Sequence, residues 1–215
     1  MAIAVLGGTG PEGLGLAARL AQIGEAVIIG SRSAERAEEA VRTLQAKLPQ
    51  AKLSGGPNAA AAGQAEVVVL AFPYEGIDHI LADCGSALGG KVVIDTIVPL
   101  KVEGKFFGVE PPAEGSAGQR IQARVPAAKV VSAFKHQSAA HLIDLEHSME
   151  GDVLYCGNDE PAKALVAGLI RRVRDLRPVD AGDLRNARVF EAITALLLNL
   201  NRKHKTRASV RILGV

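Results

Sequence analysis

Residues 2–17 read AIAVLGGTGPEGLGLA. The apolar run Ala2–Leu6 fits a strand buried on both faces. It runs into a turn in which Gly8, Gly10 and Gly13 match G-x-G-x-x-G. Alone that pattern is weak. Here it follows a strand and opens a helix at the first βα junction, which is the context it requires. Gly8 is expected to permit the tight turn. Gly10 is expected to let backbone N–H groups approach a pyrophosphate at the helix N-terminus, and Gly13 to let helix and strand pack closely. Thr9, Pro11 and Glu12 complete this candidate dinucleotide-binding turn.

The end of the second strand predicts which dinucleotide. NAD-binding domains of this kind place an acid about 20 residues past the turn, on the ribose 2′-hydroxyl. Here the sequence reads Gly30-Ser31-Arg32, with no carboxylate. Ser31 can bond a 2′-phosphate, and Arg32 can pair with it and stack on adenine. Arg36, in the first turn of the next helix, can reach the same group. The missing acid therefore predicts NADP(H).

Further along, strand and helix signals alternate. Helices are expected over 11–23, 33–48, 58–64 and 74–88, with Ser33 as an N-cap. Strands are expected in AVII (26–29), EVVVLAFP, KVVIDTIVPL and AKVVSAF. Residues 101–125, rich in Gly and Pro, read as a loop ending in a short helix near 116–124. After Phe134 come a strand (DVLYCG), a helix (EPAKALVAGLIRRV), an extended piece (LRPVDAG), a long helix (186–204) apolar on more than one face, and a final strand (ASVRIL). The alternation predicts an α/β protein, a Rossmann doubly wound parallel sheet. The division expected is an NADP-binding domain over 1–150 and a small C-terminal α/β domain over 151–215. Ligands of such sheets lie beyond the carboxyl ends of the strands. Phe72-Pro73 and Ile97-Val98-Pro99 are therefore expected to wall the bound nucleotide.

Taken together, LGGTGPEGLGLA, GSRSAERA, LAFPYEGI, DTIVPL, KVVSAF, VLYCGND and RPVDAGDLRNARVFEAITALLLNLN resemble the NADP oxidoreductases that depend on the deazaflavin coenzyme F420. These stretches cover most of the chain, in order. The resemblance implies reversible hydride transfer between NADP(H) and F420, in a homodimer whose C-terminal part contributes dimer and acceptor contacts. It carries NADP contacts onto Thr9 to Glu12, Ser31, Arg32, Arg36, Phe72, Val98 and Ala139. One stretch departs from the family's pattern. KHQSAA (135–140) stands where the wall between nicotinamide and deazaflavin is expected, so Lys135, His136 and Gln137 bear on which acceptor fits. Two other readings also use NADP(H): a reductase of another soluble acceptor, a flavin or a metal chelate, and a non-enzymatic NADP(H) sensor. Hydride transfer between two cofactors needs no protein acid or base in the transferring step, so no catalytic side chain is expected.

Composition sets the remaining bounds. The chain has 215 residues, 48% of them apolar and 3% aromatic, with no Trp, so an aliphatic core is expected. Residues 171–215 carry eleven Lys+Arg against four Asp+Glu. With few aromatics and no RNA-binding motif, that charge points to a small anionic ligand rather than to nucleic acid. The cluster Arg202-Lys203-His204-Lys205, with Arg207, reads as solvated charge at a helix C-terminus or as a dock for the anionic tail of the deazaflavin. Cys84 and Cys156 have no metal or redox spacing, and His136, His141 and His147 lack a ligand pattern, so no metal is expected. No leader and no bilayer-length apolar run is visible, which predicts a cytoplasmic location with no membrane partner.

Overall fold

The computed structural model describes residues Met1–Val215. Ten strands and eight helices follow the chain: β1 (Ala2–Leu6), α1 (Pro11–Gln22), β2 (Ala26–Ser31), α2 (Ala34–Lys47), β3 (Leu53–Pro57), α3 (Asn58–Gln64), β4 (Val67–Leu70), α4 (Ile77–Cys84), β5 (Val92–Asp95), β6 (Leu100–Glu103), β7 (Phe106–Val109), α5 (Ala117–Arg124), β8 (Lys129–Ser132), α6 (Ala139–Ile143), β9 (Gly151–Gly157), α7 (Glu160–Arg172), β10 (Leu176–Asp180) and α8 (Ala187–His204). Eight strands form one sheet in the order β10-β9-β8-β5-β4-β1-β2-β3. Every pairing is parallel except β8 with β9. The Rossmann α/β fold expected from the sequence is the fold observed. The C-terminal segment extends this same sheet through β9 and β10.

Alternation along the strands sends side chains to two cores. Ile3 and Val5 face Leu16, Leu20, Leu44, Val166 and Ile170 on one side. Ala4 and Leu6 face Ile77, Leu88, Ile121 and Phe190 on the other. Strand β1 has β2 on one flank and β4 on the other, so the strand order reverses there. The crevice above the carboxyl ends of β1 and β4 is where such sheets hold ligands. Both cysteines are free and buried; burial pushes the Cys156 thiol up to about 12.

The structure corrects several expected elements. LSGGP (53–57) is a strand, held at the sheet edge by the backbone ladder to β2 despite its glycines and its proline. The expected helix over 74–88 is α4 flanked by two 3-10 turns, Tyr74–Gly76 and Gly85–Leu88. The expected loop contains a hairpin, β6–β7, turning at Gly104, whose φ is +59°. ASVRIL is not a strand. Its backbone is held by scattered bonds in place of a ladder: Asp152 N–H donates to the Val210 carbonyl, Ile212 N–H donates to the Asp152 carboxylate, and Arg177 donates to the Ile212 carbonyl. No helix is long and apolar enough to cross a membrane.

Candidate functional site

The turn after β1 is built by glycines in different ways. The left-handed residue is Gly7, at φ +75°, and not Gly8 as the motif suggests. A Cβ on Gly7 would lie 2.5 Å from the Ala71 carbonyl oxygen. Gly8 is required by space, since its Cβ would come within 2.7 Å of the Val5 carbonyl oxygen. Gly13 lets α1 close on the turn, where a Cβ would sit 2.6 Å from the Gly7 carbonyl oxygen. Gly10 differs: a Cβ there would meet only one atom, at 3.5 Å. Packing of the fold does not demand a glycine at 10, which borders the open cleft.

That cleft, of about 490 Å³, is lined by Thr9, Gly10, Ser31, Arg32, Arg36, Asn58, Phe72 and Pro73, among others. Ser31 is buried at the last position of β2, and its Oγ accepts the Ser33 N–H at 3.3 Å. Ser33 caps α2 by accepting the Arg36 N–H, which fixes the helix that carries Arg36 to the cleft rim. Arg32 and Arg36 are exposed there. Asn58 is absent from the motif reading. Its Oδ1 accepts the Gly7 N–H at 3.4 Å, and it opens α3 at the tip of β3. Only the unanticipated edge strand brings it to the cleft.

A second cavity, of about 660 Å³, adjoins the first across Gly10, Ala71, Phe72 and Pro73. Pro11, Glu12, Thr96 and Val98 line one side, and residues 135–140, including Ala139, another. Helix α8 contributes Thr194, Leu197 and Asn201, and the tail contributes Arg207. The sequence candidates therefore divide. Thr9, Gly10, Ser31, Arg32 and Arg36 line the first cavity; Pro11, Glu12, Val98 and Ala139 line the second; Gly10, Phe72 and Pro73 border both. Gly8 and Gly13 line neither and act on backbone packing. Of the basic cluster, Arg202 donates to the Lys105 carbonyl on the β6–β7 hairpin, and Lys205 ends α8 in a left-handed conformation. Arg207 alone reaches the cavity.

Lys135 and His136 turn their polar atoms inward. The Lys135 side chain is fully buried, with Nζ 2.7 Å from Asp95 Oδ2 and 3.2 Å from Glu191 Oε1, and it also donates to the Ile97 carbonyl. An ammonium has three donors, and these three acceptors use them. Burial alone would lower its pKa. Asp95 and then Glu191 outweigh that, and the net shift is upward. Glu191 accepts the Ala117 N–H at 2.9 Å, yet burial, with the Asp95 charge adding to it, pushes its carboxyl up to about 7 against the pull of Lys135. One lysine is shared between two carboxylates. Asp95 is further held by Ser132 Oγ at 2.6 Å. His136 Nε2 accepts the Leu154 N–H at 3.3 Å, and burial lowers its pKa to about 4, so the ring is neutral. Gln137 donates to the Asp152 carbonyl. The departing stretch thus fastens the sheet beneath the cavity, and Lys135 has no free donor for a ligand carbonyl.

Arg19 on α1 is buried and paired with no carboxylate. It donates to the carbonyls of Leu142 (2.9 Å), His141 (2.8 Å), Asp144 (2.5 Å) and His147 (3.0 Å). It closes the C-terminal end of α6 and ties the segment that bears Ala139 to the helix that begins at the glycine turn.

Sequence comparisons agree with this layout. A family model described as NADP oxidoreductase, coenzyme F420-dependent, matches residues 2–99, the span from β1 to Pro99 that builds the first cavity. The F420-dependent NADP reductase of Methanocaldococcus jannaschii is 40% identical over 97% of this chain and 96% of its own. That of Methanothermobacter marburgensis is 40% identical over 99% of this chain and 98% of its own. Among solved structures, a protein of Arthrobacter sp. FB24 assigned as an F420-dependent NADP reductase superposes with a TM-score of 0.84, at 29% identity over 99% of both chains. Matching such relatives end to end, this chain belongs to the F420-dependent NADP reductase family.

Proposed function

We propose that the protein transfers a hydride reversibly between NADP(H) and coenzyme F420. The observation that carries this is the continuity of the two cavities. A phosphate-binding cleft, with two exposed arginines where an NAD site would place an acid, opens across Gly10 into a larger chamber. The residues fit the nucleotide. Thr9, Gly10 and Pro11 present the N-terminus of α1 to a pyrophosphate. Ser31, Arg32 and Arg36 offer donors and charge to a 2′-phosphate. Phe72 and Pro73 wall the passage, and Val98 and Ala139 flank the chamber, where a small side chain at 139 admits close stacking. The two bound coenzymes supply the hydride chemistry itself. The chain's part would be to hold the two coenzymes in position for that transfer.

NADPH oxidation followed at 340 nm tests this reading. Turnover is expected with F420 and not with FMN or FAD. Turnover with the flavins alone overturns the choice of acceptor, and tight NADPH binding with no turnover overturns the enzymatic reading. We also propose the homodimer. Val102, Phe106, Val189 and Leu196 lie exposed on the β6–β7 hairpin and α8, and a second copy would cover such a surface. Light scattering is expected to give twice the chain mass of 22.4 kDa; the monomer mass rejects the dimer.

A further inference from the structure

Glu12 stands in the first turn of α1, on the wall of the larger cavity. Its Oε1 is buried and has no hydrogen-bond partner. Several groups face it. Asp95, Thr96 and Lys135 lie close enough to act on it; the neutral His136 and, from the tail, Arg207 line the same cavity, and Glu191 on α8 pairs with Lys135. The Thr96 hydroxyl donates to the Leu70 carbonyl, and Lys135 is committed to Asp95 and Glu191. Burial dominates and pushes Glu12 up to about 8, with Thr96 and Lys135 opposing and Asp95 adding to the rise. Glu12 is therefore an uncharged acid at neutral pH, poised to ionise if a cation comes beside it.

The NADP(H) reading, on which this inference rests, supplies such a cation in one redox state only. Beyond the pyrophosphate site at Gly10, the path of a dinucleotide leads into the cavity that Glu12 lines. The oxidised nicotinamide ring is positively charged and the reduced ring is neutral. A cation near a poorly solvated carboxyl favours its charged form. We propose that Glu12 distinguishes the two redox states of the cofactor, staying protonated beside reduced nicotinamide and ionising beside the oxidised ring.

The sign follows from linkage. NADP⁺ lowers the Glu12 pKa from its value in the free protein, so NADP⁺ binding releases a proton below about pH 8. Its affinity then rises with pH, by up to about tenfold per pH unit, and levels off above that value. NADPH carries no ring charge and does not drive this release. Titration of the 2′-phosphate is common to both nucleotides and cancels in the ratio of their affinities.

Calorimetric titration of the intact protein with NADP⁺ and with NADPH, at pH 6.5 and 8.5, tests the proposal. Buffers of different ionisation heat count the protons. The ratio Kd(NADP⁺)/Kd(NADPH) is expected to fall at least fivefold between the two pH values, with more protons released on binding NADP⁺ than on binding NADPH. In Glu12→Gln, an uncharged variant of the same shape, the ratio should be independent of pH. A flat ratio in the unmodified protein overturns the proposal while leaving NADP(H) binding intact. So does a pH-dependent ratio that survives in Glu12→Gln. Failure of both nucleotides to bind overturns the NADP(H) reading and this inference with it. The titrations of the unmodified protein decide the first outcome even if the variant does not fold.

Discussion

Lys135→Met is expected to destabilise the fold by about 3–5 kcal/mol above pH 7, the usual cost of removing one partner from a buried charge group. The reason lies in what remains. Asp95 and Glu191 are both fully buried, and each takes its cationic partner from the same ammonium. Without it two carboxylates face each other with no counter-charge. The deficit should depend on pH in a definite direction. A carboxyl whose folded pKa lies above its unfolded value contributes stability below the unfolded value and loses it as pH rises through the folded one. Glu191 already titrates at about 7 with the lysine present, against an ordinary 4.5. Removing the lysine raises Glu191 further, so the variant should recover stability as pH falls from 8 toward 5. Urea unfolding at the two pH values measures this. Adding Glu191→Gln to Lys135→Met should restore part of the loss at high pH, because one of the stranded charges is gone. A cost below about 1 kcal/mol at pH 8 would mean that the ammonium does not hold the cluster together.

This cluster also shows where sequence reading stops. The parts of the site that were legible are local. Strand, glycine turn and helix start lie within residues 2–17, and the 2′-phosphate candidates Ser31, Arg32 and Arg36 sit on one strand end and the helix start it feeds. Local order is written in turn chemistry and periodicity, and the structure keeps these residues on one cleft. Asp95, Lys135 and Glu191 are 40 and 56 positions apart, on β5, after β8 and on α8. No spacing rule joins them; the sheet order does. In the sequence Lys135 looked like a residue for the acceptor, because a lone lysine beside a ligand wall carries no sign of two buried carboxylates. Glu191 gave one faint signal: an acid in a helix otherwise apolar on more than one face.

The same distinction accounts for the misread elements. LSGGP has poor strand propensity and becomes a strand because β2 offers a free edge. ASVRIL has the better propensity and remains irregular, with the Ile212 backbone groups bonded to the Asp152 and Arg177 side chains. Tertiary context overrides propensity in both directions. Asn58 followed the first error. Without β3 nothing placed the start of α3 beside Gly7.

Arg19 carries the other large expected effect, and its result separates holding the fold from holding the site. Arg19→Ala should remove about 3–5 kcal/mol, at the upper end for a single substitution, since four buried or partly buried carbonyls lose their donor. Arg19→Lys keeps the charge but offers a point in place of a fork, so it should recover only part of that loss. The local consequence is sharper than the global one. The guanidinium is the donor that closes the end of α6, and α6 packs on α1 so tightly that a Cβ on Gly15 would lie 2.6 Å from Leu142 Cβ. Loosening the contact frees residues 139–147 while leaving the glycine turn, Ser31 and Arg32 in place. In Arg19→Lys, therefore, the dissociation constant for NADPH should change less than threefold, while the KM for the acceptor rises and kcat falls by at least tenfold. Hydrogen exchange should quicken in 139–147 before it does in β1 or β4. Equal losses in NADPH affinity and turnover would show that Arg19 supports the whole domain evenly. An unchanged exchange rate in 139–147 would show that the carbonyl cage does not position the wall of the cavity.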